Sequence, residues 1–185
     1  MAIIGQGVIG LAMLSWSMAC GFRTVVVDRD PTRLEMARAM GADLAVSADQ
    51  DDCVMQVTEY LGGEGADVVF EAASSWEGIR TALRVARTDG TVVVMSRHIS
   101  IPEFNPVGYP FLGKRLNLIT TYGYPPDGHR WDQRHSVALT LDFLARGRIV
   151  MDSIVTDRLP ADELPAVYDR IDRGETSVVG VLIEW

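Results

Sequence analysis

The feature that most constrains the fold is a glycine-rich turn between a short apolar run and an apolar helix. Residues 2–4 are apolar and lead directly into the sequence GQGVIG at residues 5–10, and an apolar segment continues to Gly21. A β-branched run at residues 24–27 follows and ends in Asp28. Strand, glycine turn, helix and strand in this order predict a β-α-β unit of the type that binds dinucleotides, with a merely structural glycine turn as the alternative.

Each part of the predicted unit has a physical role. Gly5 permits a tight turn, Gly7 has no side chain to obstruct a pyrophosphate, and Gly10 lets the helix pack closely on the strand. The free N–H groups and the positive dipole end of the helix favour phosphate. Asp28 can accept hydrogen bonds from both hydroxyls of the adenine ribose and would repel a 2'-phosphate, so NAD is predicted in preference to NADP. Arg29 either stacks on the adenine, which would relax this preference, or is an ordinary solvated arginine.

The same segment has a second interpretation as a signal peptide or membrane anchor, because residues 1–22 are almost uncharged. A signal peptide requires a basic amino-terminal region, and none precedes Arg23. A membrane-spanning helix requires about 20 apolar residues without breakers, whereas glycine occupies positions 5, 7 and 10. The segment is therefore predicted to belong to the folded core, with no membrane association.

Composition excludes several classes of protein. An apolar fraction of 48% and a mean hydropathy of +0.11 are typical of a folded domain. The 185 residues include 17 basic and 25 acidic ones, a net charge of -8, so nucleic acid is not an expected partner. Cys20 and Cys53 are far apart and the three histidines are scattered, which leaves no zinc-ligand spacing and favours the reducing cytoplasm.

Strand and helix patterns alternate up to about residue 122. Asp30 and Pro31 are typical of a helix start, and Ser74 with Glu77 has the spacing of a capping box. The alternation predicts an α/β fold with a doubly wound parallel six-stranded Rossmann sheet, and a dinucleotide-binding domain over residues 1–122. After the first two strands, further apolar runs predict strands at 44–46, 67–71, 91–95 and 116–122.

The remaining residues, 123–185, predict a carboxyl-terminal α/β tail. Their apolar positions predict a helix up to Gly147, a strand at 149–155, a helix up to Gly174 and a strand at 178–183. Without a covering domain these elements would present unpaired strand edges and apolar faces. Packing of the tail on its own sheet domain is the alternative.

Several segments occur in an order and spacing shared with one enzyme family. They are GQGVIG at 5–10 with Asp28, ARAMGAD at 37–43, GADVVFEA at 65–72 and DGTVVV at 89–94. On these segments the chain resembles the medium-chain, zinc-dependent alcohol dehydrogenase superfamily, in the branch of polyol and threonine dehydrogenases. The resemblance covers essentially the whole chain, but only the carboxyl-terminal half of such an enzyme.

In that family a GroES-like catalytic domain precedes the nucleotide-binding domain and supplies the zinc ligands. Because Met1 falls at the first strand, the resemblance implies that this domain is absent, that zinc is expected only there, and that this chain alone has no catalytic residue. Residues 123–185 would complete that catalytic domain, and the sixth strand would pair with its copy in a homodimer. A small alcohol or polyol would be a substrate only if the missing domain were supplied.

The resemblance also implies cofactor contacts, grouped by the part of the dinucleotide that they would touch. They are the pyrophosphate contacts (Gly5, Gly7, Val8, Ile9, Gly10), the adenosine contacts (Asp28, Arg33, Ala72, Ala73) and backbone contacts to the nicotinamide carboxamide (Met95, Thr120, Tyr122). The family usually has glycine where Ser96 stands, and often a basic residue where Gly180 stands. The loss of a basic residue at position 180 would weaken neutralisation of the pyrophosphate.

Three other features leave alternatives open. His98, after the fifth strand, is either a substrate or proton-relay contact or a solvated loop histidine. The aromatic and proline-rich segment 122–131 either lines a substrate pocket or forms a rigid surface loop. Cys20 and Cys53 fall on predicted helices and are expected to be buried, inert thiols.

Two functions are consistent with these observations. The first is the NAD(H)-binding portion of a medium-chain alcohol or polyol dehydrogenase-like oxidoreductase, which transfers hydride between nicotinamide and a small alcohol. The alternative is a stand-alone, non-catalytic dinucleotide-binding or interaction module from a truncated gene. Both predict that the chain binds NAD(H).

Overall fold

A computed structural model describes residues 1–121 and 123–185, in which strands and helices alternate before a second, smaller sheet. The first part contains β1 (Ala2–Ile4), α1 (Val8–Ala19), β2 (Val25–Asp28), α2 (Pro31–Ala39), β3 (Leu44–Ser47), α3 (Cys53–Tyr60), β4 (Ala66–Glu71), α4 (Trp76–Val85), β5 (Ala86–Val94) and β6 (Asn117–Thr120). The second part contains α5 (Gln133–Ala145), β7 (Val155–Pro160), α6 (Leu164–Asp172) and β8 (Gly180–Glu184).

The first six strands form one parallel sheet in the order β3-β2-β1-β4-β5-β6. β1 pairs with β2 on one side and with β4 on the other, so the direction of winding reverses between β1 and β4. The predicted doubly wound α/β fold is therefore confirmed. In such sheets ligands bind in the crevice outside the carboxyl ends of the strands at this reversal point.

Apolar side chains pack on both faces of the sheet, which explains why β1 and β2 are continuous apolar runs rather than alternating ones. Successive residues of a strand point to opposite faces, so neighbours in sequence join different clusters. The two clusters include Ile3, Leu11, Leu14, Val26 and Leu34 on the side of α1 and α2, and Ile4, Val25, Val27, Val57 and Leu83 on the side of α3 and α4.

The observed start of α2 agrees with the prediction from the sequence, and the observed start of α4 differs from it. The Asp30 side chain accepts a hydrogen bond of 3.0 Å from the Arg33 N–H and caps α2, as predicted. The prediction of a capping box at Ser74 is wrong, because Ser75 caps α4 by accepting a 3.0 Å hydrogen bond from the Gly78 N–H. Ser74 has φ of 55°, whereas a capping residue has extended backbone, as Ser75 does.

The tail differs from the prediction at its first strand. Residues predicted as a strand at 149–155 instead contain a short 3-10 helix, Asp152–Ile154, and the strand begins at Val155. Ile149 and Ile154 are buried, and the Ser15 hydroxyl of α1 exchanges hydrogen bonds with the backbone of Val150. These apolar residues are therefore fixed by packing and hydrogen bonding rather than by strand pairing.

The tail packs partly on the main sheet domain and partly leaves apolar surface exposed. Trp16 of α1 stacks on Phe143 of α5 with ring centroids 4.9 Å apart. β7 pairs in parallel with β8, and Leu159, Val167 and Val178 form a small core between these strands and α6. On α5, by contrast, Leu141 remains 60% exposed. Each of the two predicted alternatives for the tail is thus correct for part of it.

Candidate functional site

The glycine turn after β1 depends on missing side chains at two positions. Gly5 has φ of +92°, and a Cβ added there would lie 2.6 Å from the backbone nitrogen of Ala73. A Cβ at Gly10 would lie 1.8 Å from the Gly5 carbonyl oxygen, which no real contact permits. Gly5 and Gly10 therefore bring the turn, β4 and α1 into close approach.

Gly7 differs from its two neighbours, because a Cβ added there would meet nothing within 4 Å. Gly7 is the N-cap of α1, with extended backbone, and no side chain of the described residues caps the helix there. Val8 and Ile9, in the first turn of α1, are 43% and 50% exposed. The amino end of α1 thus combines free N–H groups with open space, the arrangement that suits an anion.

The space in front of this helix end is a cleft of about 780 Å³ at the carboxyl ends of β1, β2 and β4. It lies at the point where the strand order reverses. The cleft brings together seven of the sequence-predicted site residues, namely Gly5, Gly7, Asp28, Arg29, Arg33, Ala72 and Ala73.

The carboxylate of Asp28 is held in a fixed orientation at the end of β2. Its Oδ1 accepts a hydrogen bond of 2.8 Å from the Asp30 N–H, and its Oδ2 accepts one from the Gln6 N–H in the glycine turn. A carboxylate has about four lone-pair sites, so two of them remain for a ligand. The carboxylate therefore links the glycine turn to β2 while facing the cleft.

Two arginines in the cleft have different surroundings. The Arg33 Nε is buried and has no hydrogen-bond partner among the described residues. The Arg29 Nε lies 2.9 Å from the Asp49 Oδ1 on the exposed rim, where both side chains are more than half exposed. Arg33 therefore has an unused buried donor, whereas Arg29 forms a surface ion pair.

A residue of the tail, Thr176, also lines the cleft. Burial opposes ionisation of Asp30, but hydrogen bonds from the Thr176 hydroxyl and the Arg33 backbone outweigh burial and lower the pKa of Asp30. Sequence reasoning missed Thr176, because no local pattern connects it with residues that are more than a hundred positions earlier.

Two of the predicted nicotinamide contacts, Met95 and Thr120, lie at the carboxyl ends of β5 and β6, outside the lining of the cleft. The Met95 N–H donates a 2.9 Å hydrogen bond to the Glu71 carbonyl. Thr120 is exposed at the end of β6 and pairs in register with Val94. The predicted contact at Tyr122 lies outside the described residues.

His98 is not the solvated loop histidine that was one of the two alternatives. Its side chain is only 9% exposed, and its Nε2 lies 2.9 Å from the Glu71 Oε2. The Ser96 hydroxyl donates a short hydrogen bond to the same oxygen and lies 3.1 Å from the His98 Nε2. Sequence reasoning missed this cluster, since Glu71 precedes His98 by 27 positions.

Two other expectations concern the burial of the cysteines and the residue at position 180. Cys53 is buried and burial raises the pKa of its thiol, but Cys20 is exposed at the end of α1, so the expectation of burial is wrong for Cys20. At Gly180, which begins β8, an added Cβ would lie 2.5 Å from the Ile154 carbonyl oxygen. A basic side chain at position 180 is therefore incompatible with this packing.

Within residues 1–121 and 123–185, no group of three or more His, Cys, Asp or Glu side chains could hold a metal ion. Over the same residues, no helix is both long enough and apolar enough to cross a lipid bilayer. The side chains described here therefore do not fit a zinc ion.

A parallel sheet in the order 3-2-1-4-5-6, with a glycine-lined cleft at the reversal point, defines a Rossmann-type α/β protein. The family described as "Zinc-binding dehydrogenase" matches residues 8–146. The chain therefore belongs to the zinc-binding dehydrogenase family, which confirms the resemblance to medium-chain alcohol dehydrogenases.

Individual relatives match over nearly the whole chain. The alcohol dehydrogenase of Cupriavidus necator is 27% identical over 187 residues, which cover 99% of this chain and 48% of that protein. The L-threonine 3-dehydrogenase of Bacillus licheniformis is 28% identical, with 96% and 49% covered. The crystal structure of 2R,3R-butanediol dehydrogenase from Bacillus subtilis matches with a TM-score of 0.81 and 25% identity, over 100% of this chain and 50% of that one. The chain spans about half the length of the curated relatives it matches.

Proposed function

We propose that the chain is the NAD(H)-binding portion of a medium-chain alcohol or polyol dehydrogenase-like oxidoreductase. The observation that carries the proposal is the cleft in front of α1, where an uncapped helix end, an open position at Gly7 and the Asp28 carboxylate face the same space. The alcohol and L-threonine dehydrogenases among the relatives favour this function over a stand-alone, non-catalytic module.

The pyrophosphate binds at the amino end of α1. Its oxygens accept hydrogen bonds from the backbone N–H groups of Gly7, Val8 and Ile9, and the helix dipole favours its negative charge. Gly5 and Gly10 do not contact the ligand through side chains, but their close approaches create the turn that presents those N–H groups. The absence of a side chain at Gly7 leaves room for the phosphate oxygens.

The adenosine binds between the ends of β2 and β4. Asp28 accepts hydrogen bonds from the ribose hydroxyls, and the buried Nε of Arg33 supplies a donor that has no partner among the described residues. Ala72 and Ala73 flank the adenosine on the opposite wall. The Asp28 carboxylate opposes a 2'-phosphate and Arg29 is paired with Asp49, and both features favour NAD over NADP.

The nicotinamide lies at the ends of β5 and β6, where Met95 and Thr120 offer backbone groups to its carboxamide. When bound, the nicotinamide accepts or donates a hydride. Small alcohols or polyols are the substrates of the whole protein, and zinc belongs to an amino-terminal catalytic domain outside this chain. The residues of this chain bind and orient the dinucleotide, and none is assigned a chemical step.

The compartment proposed for the protein is the cytoplasm. Both cysteines are free thiols, and one of them, Cys20, is exposed. Exposed free thiols persist in reducing compartments, whereas secreted domains of this size usually oxidise or lack them.

Titration calorimetry of the 185-residue chain with NADH and with NADPH tests the proposed function. We expect heat of binding with NADH and an affinity for NADPH at least about tenfold lower, because the Asp28 carboxylate opposes a 2'-phosphate. We also expect no oxidation of alcohols by the chain alone, with or without added zinc. Absence of binding by both dinucleotides would refute the proposal, and turnover by the pure chain would refute the assignment of catalysis to another domain.

The exposed edge strand of the sheet suggests that a second copy of this chain is a partner. β6 is the last strand of the sheet, all four of its residues are exposed, and Ile119 is 50% exposed. The segment before it adds exposed apolar side chains, since Ile101 is 91% and Tyr109 84% exposed. An unpaired strand edge beside apolar surface favours pairing with another chain, and we propose a homodimer formed through β6.

The substitution Ile119→Lys tests this homodimer. A lysine on each of two paired edge strands places like charges close together and obstructs pairing. We expect the wild-type chain to sediment as a dimer and the variant as a monomer in analytical ultracentrifugation.

Leu182→Lys is the matched control, because Leu182 is 40% exposed on β8 in the smaller sheet. This control should remain dimeric. A monomeric wild-type chain, or a dimeric Ile119→Lys variant, would contradict pairing through β6.

A further inference from the structure

A buried carboxylate connects two loops beside the proposed dinucleotide site. Glu71, the last residue of β4, has no exposed surface. Its Oε1 accepts a hydrogen bond of 2.9 Å from the Ala73 N–H. Its Oε2 accepts hydrogen bonds from the Ser96 hydroxyl and from His98, whose Nε2 is 2.9 Å away. One side chain thus joins the loop after β4 to the loop after β5.

The backbone and the first turn of α4 reinforce this connection. The Glu71 carbonyl accepts the Met95 N–H at 2.9 Å, so Glu71 contacts the second loop through both its backbone and its side chain. A Cβ added at Gly78 of α4 would lie 2.9 Å from the Glu71 Oε1, which shows how closely the helix covers the carboxylate. The orientation of the Met95 backbone is therefore coupled to the environment of Glu71.

An aromatic side chain, Trp76, packs against the cluster formed by Glu71, Ser96 and His98. The Trp76 ring lies 4.8 Å from the His98 ring, centroid to centroid. The Trp76 indole N–H donates a 2.8 Å hydrogen bond to the Ser100 carbonyl, two residues beyond His98. The segment from Met95 to Ser100 is therefore held at its start, middle and end by residues of β4 and α4.

The hydrogen-bond pattern excludes a nucleophilic role for Ser96. In a serine-histidine-carboxylate triad, the two ring nitrogens contact different partners, and the histidine accepts the serine proton. Here the same nitrogen, Nε2, faces both Ser96 and Glu71, and a carboxylate can only accept. Both Ser96 and His98 therefore donate to Glu71, which compensates a buried charge rather than activating a hydroxyl.

We infer that His98, assisted by Ser96, is a positioning residue for the nicotinamide half of the dinucleotide. By binding Glu71, it holds the backbone after β5 so that the Met95 carbonyl faces the carboxamide. Neither Ser96 nor His98 is among the proposed cofactor contacts. The inference rests on the proposed function and adds to it a side-chain cluster that touches no part of the ligand.

The test compares NADH with ADP-ribose, which lacks the nicotinamide, by titration calorimetry of the full 185-residue chain. In His98→Ala we expect the affinity for NADH to fall about fivefold or more and the affinity for ADP-ribose to stay unchanged. The fluorescence of bound NADH, which reports on the nicotinamide, should shift toward that of free NADH. His98→Gln retains an N–H donor to Glu71 and should restore most of the NADH affinity.

Two further variants keep the result interpretable. Ser96→Ala removes one donor to the same carboxylate and should weaken NADH binding in the same direction, even if His98→Ala fails to fold. His135→Ala, on α5, removes a histidine with a 59% exposed side chain and should change neither ligand's affinity.

The outcomes separate the inference from the proposed function. If wild-type protein binds neither ADP-ribose nor NADH, the proposed function fails and the inference fails with it. If ADP-ribose binds but the ratio of NADH to ADP-ribose affinity is unchanged in both His98→Ala and Ser96→Ala, the positioning role is overturned and the proposed function stands. Equal losses of both ligands would show that the cluster maintains the whole cleft rather than its nicotinamide end.

Discussion

Replacing Asp28 by glycine is expected to lower the affinity for NADH about 100-fold or more while changing the affinity for NADPH by less than about threefold. Hydrogen bonds to a charged group contribute roughly 1.5 to 3 kcal/mol each, and each 1.4 kcal/mol corresponds to a factor of ten. The variant loses these bonds with either dinucleotide. With NADPH the loss is offset, because the repulsion between the carboxylate and the 2'-phosphate also disappears.

Asp28 also has a structural role, so a control must separate binding from stability. Its carboxylate accepts backbone hydrogen bonds from Gln6 and Asp30. Asp43→Gly is the matched variant, since the Asp43 Oδ2 accepts a 2.7 Å hydrogen bond from the Thr24 N–H. This pair lies at the amino ends of β2 and β3, away from the cleft at the carboxyl ends. Asp43→Gly should cost comparable stability and leave NADH affinity unchanged. Equal losses of NADH and NADPH affinity in Asp28→Gly would remove Asp28 from the ribose site.

Replacing Gly7 by aspartate should abolish NADH binding without destabilising the protein. Gly7 has φ of -76° and ψ of -171°, an extended backbone that any residue adopts, and open space beyond its Cα. Aspartate is a preferred N-cap residue, so the free energy of unfolding should stay constant or rise by a few tenths of a kcal/mol, about the difference between good caps and glycine. Thermal unfolding measures this stability.

The loss of binding has an electrostatic and a steric cause. A carboxylate about 4 Å from a phosphate costs about 4 kcal/mol near a protein surface, which exceeds a 100-fold loss of affinity. Gly7→Ser caps the helix equally well without a charge, and it should weaken NADH binding less, through the steric effect alone. A Gly7→Asp variant that still binds NADH at wild-type strength would show that the pyrophosphate does not lie at the amino end of α1.

Local patterns were sufficient where neighbouring residues determine the structure. The turn from β1 into α1 requires glycine at Gly5 for its positive φ and at Gly10 for its contact with the Gly5 carbonyl oxygen, and both reasons lie within six residues. The start of α2 likewise depends on Asp30 and the residues immediately after it. The parallel, doubly wound sheet followed from the regular alternation of apolar strands and helices, because parallel neighbours need a helical crossover between them.

Local patterns predicted the wrong structure at two places. The strand predicted at 149–155 has a suitable composition, but Ile154 is buried against the cluster of α1 and α2, and Ser15 hydrogen-bonds the backbone of Val150. The capping box at Ser74 has the correct spacing, but Ser75 is the residue whose backbone is extended. In both cases the residue types were compatible with two structures; packing against α1 selected one at residues 149–155, and the backbone conformation distinguishes Ser75 from Ser74.

What the sequence by itself determined is the β-α-β unit with its glycine turn, the carboxylate at the end of β2 and the doubly wound sheet. These features arise from backbone sterics and from hydrophobic periodicity, which act over a few residues. Only the tertiary structure decided that Thr176 borders the cleft, that Arg33 has a buried donor with no partner in the described part of the chain, and that His98 binds Glu71. These contacts join residues from separate elements, and the burial of a polar side chain depends on packing that no short segment specifies.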